Sequence, residues 1–420
     1  MRRKRRHKRK KTIILITLLI VFVFVGILYK VDMEKKNKLL KEQQKKELIL
    51  SKYSNYALTK KDSEIFELSD NNLKKVGTIG KDVGITLGDI YDEYYEITNL
   101  DGKYYIWYDN VEGVSSLDAI DSRYKKYIVF NENVVTSGST NFYNNSGKFI
   151  LSLNKSIDEP IIMKTKDYYG IEYSNQLLFI RKDEVTLKNN DNTSLSNAKG
   201  VPVFNYHFVY KDDDKSCDQI ICISESNFRK HLDYIRDNNY FTVTAEELEM
   251  YIDGVIQLPK SVLITFDDGP YFYNARRILN EYKLNGTYFF VTVWMQDDLS
   301  EMESEFVELH SHTHDMHRTG KCPGGQGGGI KCLSEEFIQN DLKTSREKLK
   351  GSTYLAYPFY EYNSYSIEQL KKAGFTMAFG GYYENGYKYV KPGIDKFKLP
   401  RLVIYNQTSV STIKSYLTLQ

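Results

Sequence analysis

The hydrophobic rhythm of the chain changes several times along its length. Thr12–Tyr29 is an apolar run without a single charge, and Val31–Ser51 is rich in Lys, Glu, Gln and Leu. From about Tyr53, short alternating apolar runs are punctuated by Gly, Asn and Asp, the pattern of small half-buried strands. From about Val201 the pattern becomes strand–helix alternation. Val201–Tyr206 reads as a strand, and Glu225–Asn238 carries a helical stripe of Phe228, Leu232 and Ile235. Val262–Phe266 is a buried-type strand, followed by a helix around Ala275–Tyr282 and strands at Thr287–Thr292 and Phe306–Leu309. An amphipathic helix at Glu335–Leu349, a strand at Tyr354–Tyr357, a helix at Ile367–Ala373 and a strand at Phe375–Phe379 complete the series. Such alternation predicts an α/β domain with a mainly parallel sheet, open or closed into a barrel.

The apolar run is long enough, at about 27 Å as a helix, to cross a hydrocarbon core. Residues 1–11 hold nine Lys/Arg and no acid. They predict a cytoplasmic arm (1–11), a transmembrane anchor (12–29) and everything beyond it outside the cell. A cleaved signal peptide shares the basic-then-apolar order, but no A-x-A-like site follows. Residues 30–52 suit a solvated helical stalk.

The strand-rich region repeats itself. Tyr94-Tyr95-Glu96-Ile97 returns as Tyr168-Tyr169-Gly170-Ile171, and at the same offset Ile106 meets Ile180 and Val111 meets Val185. A constant offset over several apolar positions predicts duplication of one β-unit, at 53–120 and 121–190. In length and strand pattern the units are similar to tandem bacterial SH3-like domains, which implies wall binding or simple spacing. Residues 191–200 read as a polar linker to a last domain at 201–420.

The formal charge of +3 conceals an asymmetry: the basic arm and stalk leave a net charge near −10 after Lys52. No nucleic-acid-binding surface is expected from such a domain, and no protein partner is evident. Four cysteines form two local pairs, Cys217/Cys222 and Cys322/Cys332. Outside the membrane these read as disulfides. A structural zinc site using all four is the alternative, although neither spacing is C-x2-C.

Two segments carry chemistry. Thr265-Phe266-Asp267-Asp268-Gly269-Pro270 follows an apolar strand, and strand ends are where α/β folds place ligands. Asp-Asp-Gly is also a common turn. The second segment, His310-Ser311-His312-Thr313-His314-Asp315-Met316-His317, holds four of the seven histidines. Imidazole and carboxylate together suit zinc and neighbouring divalent metals, and His312 and His317 could converge with Asp268 on one ion.

Together, TFDDGP and SHTHDMH resemble the polysaccharide deacetylases of carbohydrate esterase family 4, the NodB-homology group. The resemblance covers roughly 201–420 and implies a deformed (β/α) barrel that removes acetyl groups from amino sugars. It implies Asp267 as catalytic base and Asp268, His312 and His317 as ligands to a divalent ion, zinc first, with Co, Ni or Fe as alternatives. The five-residue His spacing is similar to the branch acting on poly-N-acetylglucosamine, where most of the family uses four; His314 is the reserve ligand. Ala356-Tyr357-Pro358-Phe359-Tyr360 looks like the family's groove wall, which implies the Phe359 N–H as oxyanion donor. Tyr357, Phe359, Tyr360 and Trp294 are candidate sugar-stacking rings, with a place in the core as the bland reading for most of them. Ala356 stands where the family often has Arg, and Tyr360 where it usually has Gly. Arg401 is the replacement cation for Asp267, a surface Arg being the bland reading. The family's late acid His is missing, and His207, on the opening strand, is the candidate general acid. Peptidoglycan N-acetylglucosamine ranks first as substrate, poly-N-acetylglucosamine second and chitin oligomers third. A non-catalytic wall-binding protein is the reading from a different class.

Overall fold

In the computed structural model, residues 2–119, 122–190, 200–295, 299, 302–381 and 388–418 are described, with side chains from Ile14 onward. The linker expected at 191–200 lies outside them except for Gly200, and the side chains of the basic arm lie outside them as well. The chain divides into two compact units. One comprises Met1–Ile120, Gly138–Lys155 and Tyr173–Asn175; the other comprises Asp121–Ser137, Ser156–Glu172 and Gln176–Gln420.

The first unit begins with one continuous helix, Arg2–Ser51. Its apolar stretch is exposed, and is long and apolar enough to cross a membrane. The helix ends on a β-unit: Ile49 is buried, the Tyr95 hydroxyl donates to the Ile49 carbonyl, and Lys45 pairs with Glu93. Here Tyr56–Thr59 pairs antiparallel with both Gly84–Tyr91 and Val111–Val114. In the other unit, Glu132–Val135 pairs antiparallel with both Asp158–Pro160 and Thr186–Asn189. The 3-10 turn at Tyr108–Asn110 likewise recurs at Lys182–Glu184. The repeat is therefore one of topology as well as of sequence. The hairpin Thr140–Tyr143/Phe149–Leu153, within the span of the second repeat, belongs to the first unit and pairs there with Asn72–Ile79.

The second unit is built on a curled parallel sheet. Its strands run in the spatial order Met377–Phe379, Tyr354–Ala356, Val307–Ser311, Gly286–Phe290, Ser261–Asp268, Val203–Tyr206, Leu402–Val403. A bridge between Phe379 and Leu399 ties the first edge to the segment leading into the last strand. The Ser261–Asp268 strand is buried at all eight positions, because helices cover a parallel sheet on its faces. Strand and helix positions follow the expected periodicity, with ends shifted by a residue or two, as at Gly286–Phe290 and Val307–Ser311. Among the described residues, two helices, Ala245–Ile252 and Val410–Leu417, are additional to the expected series.

Aromatic rings fill the core. Phe266 stacks on Tyr288 with centroids 4.4 Å apart, and Phe204, Tyr206, Phe228, Phe272 and Phe290 pack with them. Truncating such a ring to Ala costs about 3–5 kcal/mol. A second cluster, including Met316, Ile330, Leu342, Leu355 and Tyr357, lies beneath the histidine-bearing loop. Arg123, from the segment joining the β-units, forms an ion pair with Glu247, the capping-box residue of the Ala245–Ile252 helix.

Candidate active site and metal centre

The Ser261–Asp268 strand delivers Asp267 and Asp268, and its end is sharply turned. Asp268 has φ 77°, and Gly269 (φ 121°) follows it; this reversal aims two adjacent carboxylates in different directions. Asp267 is 3% exposed at its side chain and held on both oxygens. Its Oδ1 accepts from Arg401 Nη1 at 2.7 Å, and its Oδ2 from Asn205 Nδ2 at 3.2 Å. Burial opposes its charge, but Arg401 and the nearby histidines outweigh that cost and hold its pKa far below the ordinary carboxylate value.

Arg401 is fully buried. Its guanidinium also donates to the Gly380 carbonyl and lies over the Tyr360 ring, 5.2 Å from the centroid. The Tyr360 hydroxyl in turn accepts from Asn205 Nδ2. Arg401 thus stands against Asp267, in a chain that has Ala356 where a cation was expected.

Asp268 is different: its buried Oδ1 has no hydrogen-bond donor among the described residues. It faces His317 Nε2 at 3.3 Å and His312 Nε2 at 3.5 Å. His312 Nδ1 lies 2.8 Å from the Ala356 carbonyl. A carbonyl only accepts, so Nδ1 carries the proton and the neutral ring turns its Nε2 lone pair towards Asp268. The three ligand atoms lie within 4.8 Å of one another. Lone pairs converging without an intervening donor favour a cation. The pocket favours positive charge: burial opposes protonation of His312, yet Asp267 and Asp268 outweigh it and raise its pKa, so a proton on Nε2 competes with a cation for the same space. Burial and the neighbouring His312 push His317 down to about 4, so its ring is neutral near pH 7.

The structure separates His317 from the reserve ligand His314. The His314 Nδ1 is engaged with the Thr292 hydroxyl at 2.9 Å, and its N–H donates to Asp341. Asp341 also accepts from the Asp315 N–H, and so fixes the loop between the two ligand histidines.

His207 follows the opening strand and is buried, and its Nδ1 has no partner among the described residues. Burial lowers its pKa, while Asp267 and Asp268 oppose the shift. Phe359 has φ 58°, and its ring lies 4.3 Å from that of His317. Trp294 is half exposed and meets His317 edge-on at 5.1 Å. Tyr357 needs correction as a stacking ring. It is fully buried, its hydroxyl donates to the Phe397 carbonyl, and it stacks on Tyr362, so it offers no face to a sugar. Tyr360 is mostly buried and engaged with Asn205 and Arg401, so it too belongs to the support of Asp267. Both cysteine pairs are closed, Cys217 to Cys222 and Cys322 to Cys332.

This geometry coincides with a family match, since residues 255–378 fit the model described as polysaccharide deacetylase. The chain carries a polysaccharide deacetylase domain. Two relatives are each named poly-beta-1,6-N-acetyl-D-glucosamine N-deacetylase. The Staphylococcus epidermidis protein is 26% identical over 260 residues, covering 54% of this chain and 87% of its own. The Staphylococcus aureus protein is 28% identical over 215 residues, covering 46% and 71%. A solved de-N-acetylase from Aggregatibacter actinomycetemcomitans aligns at 24% identity and TM-score 0.44, covering 51% of this chain and 99% of that one.

Two supports of the deacetylase site escaped the sequence reading. Asn205 is the one amide in the buried and otherwise apolar Val203–Tyr206 strand, and Asp341 sits on the same buried stripe as Ile338, Leu342 and Ser345. A polar side chain at a core-facing position needs a partner, which is the signal that would have found both.

Proposed function

We propose that this protein is a metal-dependent N-deacetylase of extracellular poly-β-1,6-N-acetylglucosamine, releasing acetate and leaving free glucosamine. The observation that carries the chemistry is the unpartnered Asp268 Oδ1 facing two histidine lone pairs, beside a carboxylate that Arg401 keeps ionised. This donor set fits a divalent ion, zinc first, held by Asp268, His312 and His317. Such an ion supplies Lewis acidity, drawing charge from an amide carbonyl and making water a stronger acid. Asp267 takes the proton of the attacking water, with Arg401 and Asn205 fixing its orientation. The Phe359 N–H steadies the oxyanion that develops on the acetyl group. His207 gives a proton to the departing amine, so that water and amide become acetate and amine. Arg401 keeps Asp267 ionised between turnovers, and so ready to accept the next proton.

Peptidoglycan, ranked first on the sequence, gives way to poly-N-acetylglucosamine. The two staphylococcal relatives are named for that substrate. The five-residue His spacing and the early His207 point the same way. The apolar helix serves as an uncleaved anchor with its basic arm inside, and the β-units act as SH3-like spacers. The test is acetate release by detergent-solubilised full-length protein from poly-β-1,6-N-acetylglucosamine, peptidoglycan and chitin oligomers. Faster release from peptidoglycan than from the β-1,6 polymer would reject the assignment. No release from any glycan, with metal bound, would favour a non-catalytic binder.

A further inference from the structure

Between His317 and the Glu335–Lys348 helix runs a loop unusually rich in glycine, Thr319-Gly320-Lys321-Cys322-Pro323-Gly324-Gly325-Gln326-Gly327-Gly328-Gly329. The Cys322–Cys332 bond closes it. Its base is secured independently: the Lys331 carbonyl accepts from Asn363, the Ile330 carbonyl from Ser366 and the Leu333 carbonyl from Tyr365. The tip of the loop has a different anchor.

That anchor is Glu361, two residues after Phe359 and 8% exposed. One carboxylate oxygen accepts from the Gln326 N–H, and the other accepts from the Gly328 N–H at 2.8 Å and pairs with Lys331 at 2.7 Å. Lys331 also donates to the Gly324 carbonyl at 3.0 Å. The loop wraps so tightly that a Cβ on Gly325 would fall 1.8 Å from Glu361 Oε1. On the other side of Glu361, Phe359 and Tyr360 both occupy the left-handed region, at φ 58° and 63°. Two successive side-chain-bearing residues there are strained, and persist only where their surroundings over-determine them. The Phe359 ring contacts His317 and lies 3.5 Å from where a Cβ on Gly328 would sit.

We propose that Glu361 is a positioning residue for deacetylation: by clamping the disulfide-closed loop, it holds the strained Phe359-Tyr360 turn and so aims the Phe359 N–H at the developing oxyanion. The inference rests on the deacetylase reading of the site. It assigns the glycines and the Cys322–Cys332 bond to one device, a loop whose backbone N–H groups grip a buried carboxylate. The loop also joins the two halves of the centre in sequence, starting just after His317 and folding onto the turn that carries Phe359.

The test compares Glu361→Ala, Glu361→Gln and Gly325→Ala in the full chain, using 4-methylumbelliferyl acetate as well as the glycan. The aryl ester needs neither sugar recognition nor a proton for its leaving group, so it reads water activation and oxyanion stabilisation without those two contributions. With Glu361→Ala, amide hydrogen exchange at Gln326 and Gly328 accelerates and kcat falls by about 10–100-fold, the scale of a small misplacement of a catalytic group. KM and metal stoichiometry stay at wild-type values. Glu361→Gln keeps one acceptor oxygen and falls between, whereas Gly325→Ala reproduces the Ala phenotype by pushing the loop off the carboxylate. Faster exchange with unchanged kcat on the ester would overturn the proposal, as would a loss of kcat that follows loss of metal or of global folding. Ester hydrolysis by a wild-type protein inactive on every glycan would reject the substrate assignment and leave the role of Glu361 standing.

Discussion

Two histidine–carboxylate contacts stand two residues apart on one segment, and they have opposite characters. At His310, the ring places Nδ1 2.7 Å from the Ser352 hydroxyl and Nε2 3.4 Å from Glu308. Glu308 also accepts from the Ala245 N–H and the Thr287 hydroxyl. At His312, the ring is oriented just as firmly by the Ala356 carbonyl, but its Nε2 and Asp268 Oδ1 face each other with no donor supplied. In the first cluster the Glu308 carboxylate takes protein donors and holds strands together, although His310 Nε2 has no hydrogen-bond partner among the described residues. The second keeps its lone pairs open, at the cost of an unpaired buried oxygen, and that cost marks it as the reactive one. Proximity of His to carboxylate does not separate structure from function; whether protein donors reach the carboxylate does.

Ligand loss should have the largest effect. Asp268→Ala or His312→Ala should abolish high-affinity metal binding and lower kcat by at least about 10³-fold, since Lewis-acid stabilisation supplies several kcal/mol. Chelation should do the same to the wild type, and added zinc should reverse it. Titration showing unchanged affinity in either variant would erase the contrast with His310.

Next come the groups that handle protons. Asp267→Asn and His207→Ala should each reduce kcat by about 10²–10⁴-fold while metal content stays normal. Asp267→Asn should remove the acidic limb of the pH–rate profile, and His207→Ala should alter the basic limb. If His207→Ala strips the metal as well, the ring is a ligand or its support, and His317 needs reassignment.

The smallest effect belongs to the Glu308 cluster. Glu308→Gln should leave kcat unchanged and cost about 1–2 kcal/mol of stability, the scale of one or two lost hydrogen bonds. Burial opposes the charge on Glu308, but His310, Thr287 and the Ala245 N–H outweigh it and lower its pKa. A carboxylate with a depressed folded pKa stabilises the fold above its unfolded value of about 4.3, and this is lost as pH falls through the folded pKa. Chemical denaturation across that acid range should therefore show a shallower dependence in Glu308→Gln. A large drop in kcat would show that the two clusters are functionally continuous.

Local chemistry wrote much of this molecule into its sequence. The apolar helix, the 74-residue β-repeat and the strand–helix alternation depend on periodicity that neighbours along the chain carry themselves. Asp267, Asp268, His312 and His317 sit in short motifs for the same reason: a strand end followed by a tight turn positions them within a few residues. Other features needed contacts between distant segments. Whether Arg401 was a surface cation or the partner of Asp267 rested on the curl of the sheet, which brings its last strand beside its first. Tyr357 looked like a stacking ring from its motif, but just past the strand end it is buried in the core, and burial of a side chain is set by what packs over it. The choice between His314 and His317 fell to Asp341 on a separate helix, which holds the His314 backbone while His317 turns to Asp268. The clamp by Glu361 joins residues more than thirty positions apart, and the closing of such a loop leaves no periodic trace in the chain. Periodicity reports which face of an element is buried; only the packed fold decides which buried polar atoms find donors and which are left for a ligand.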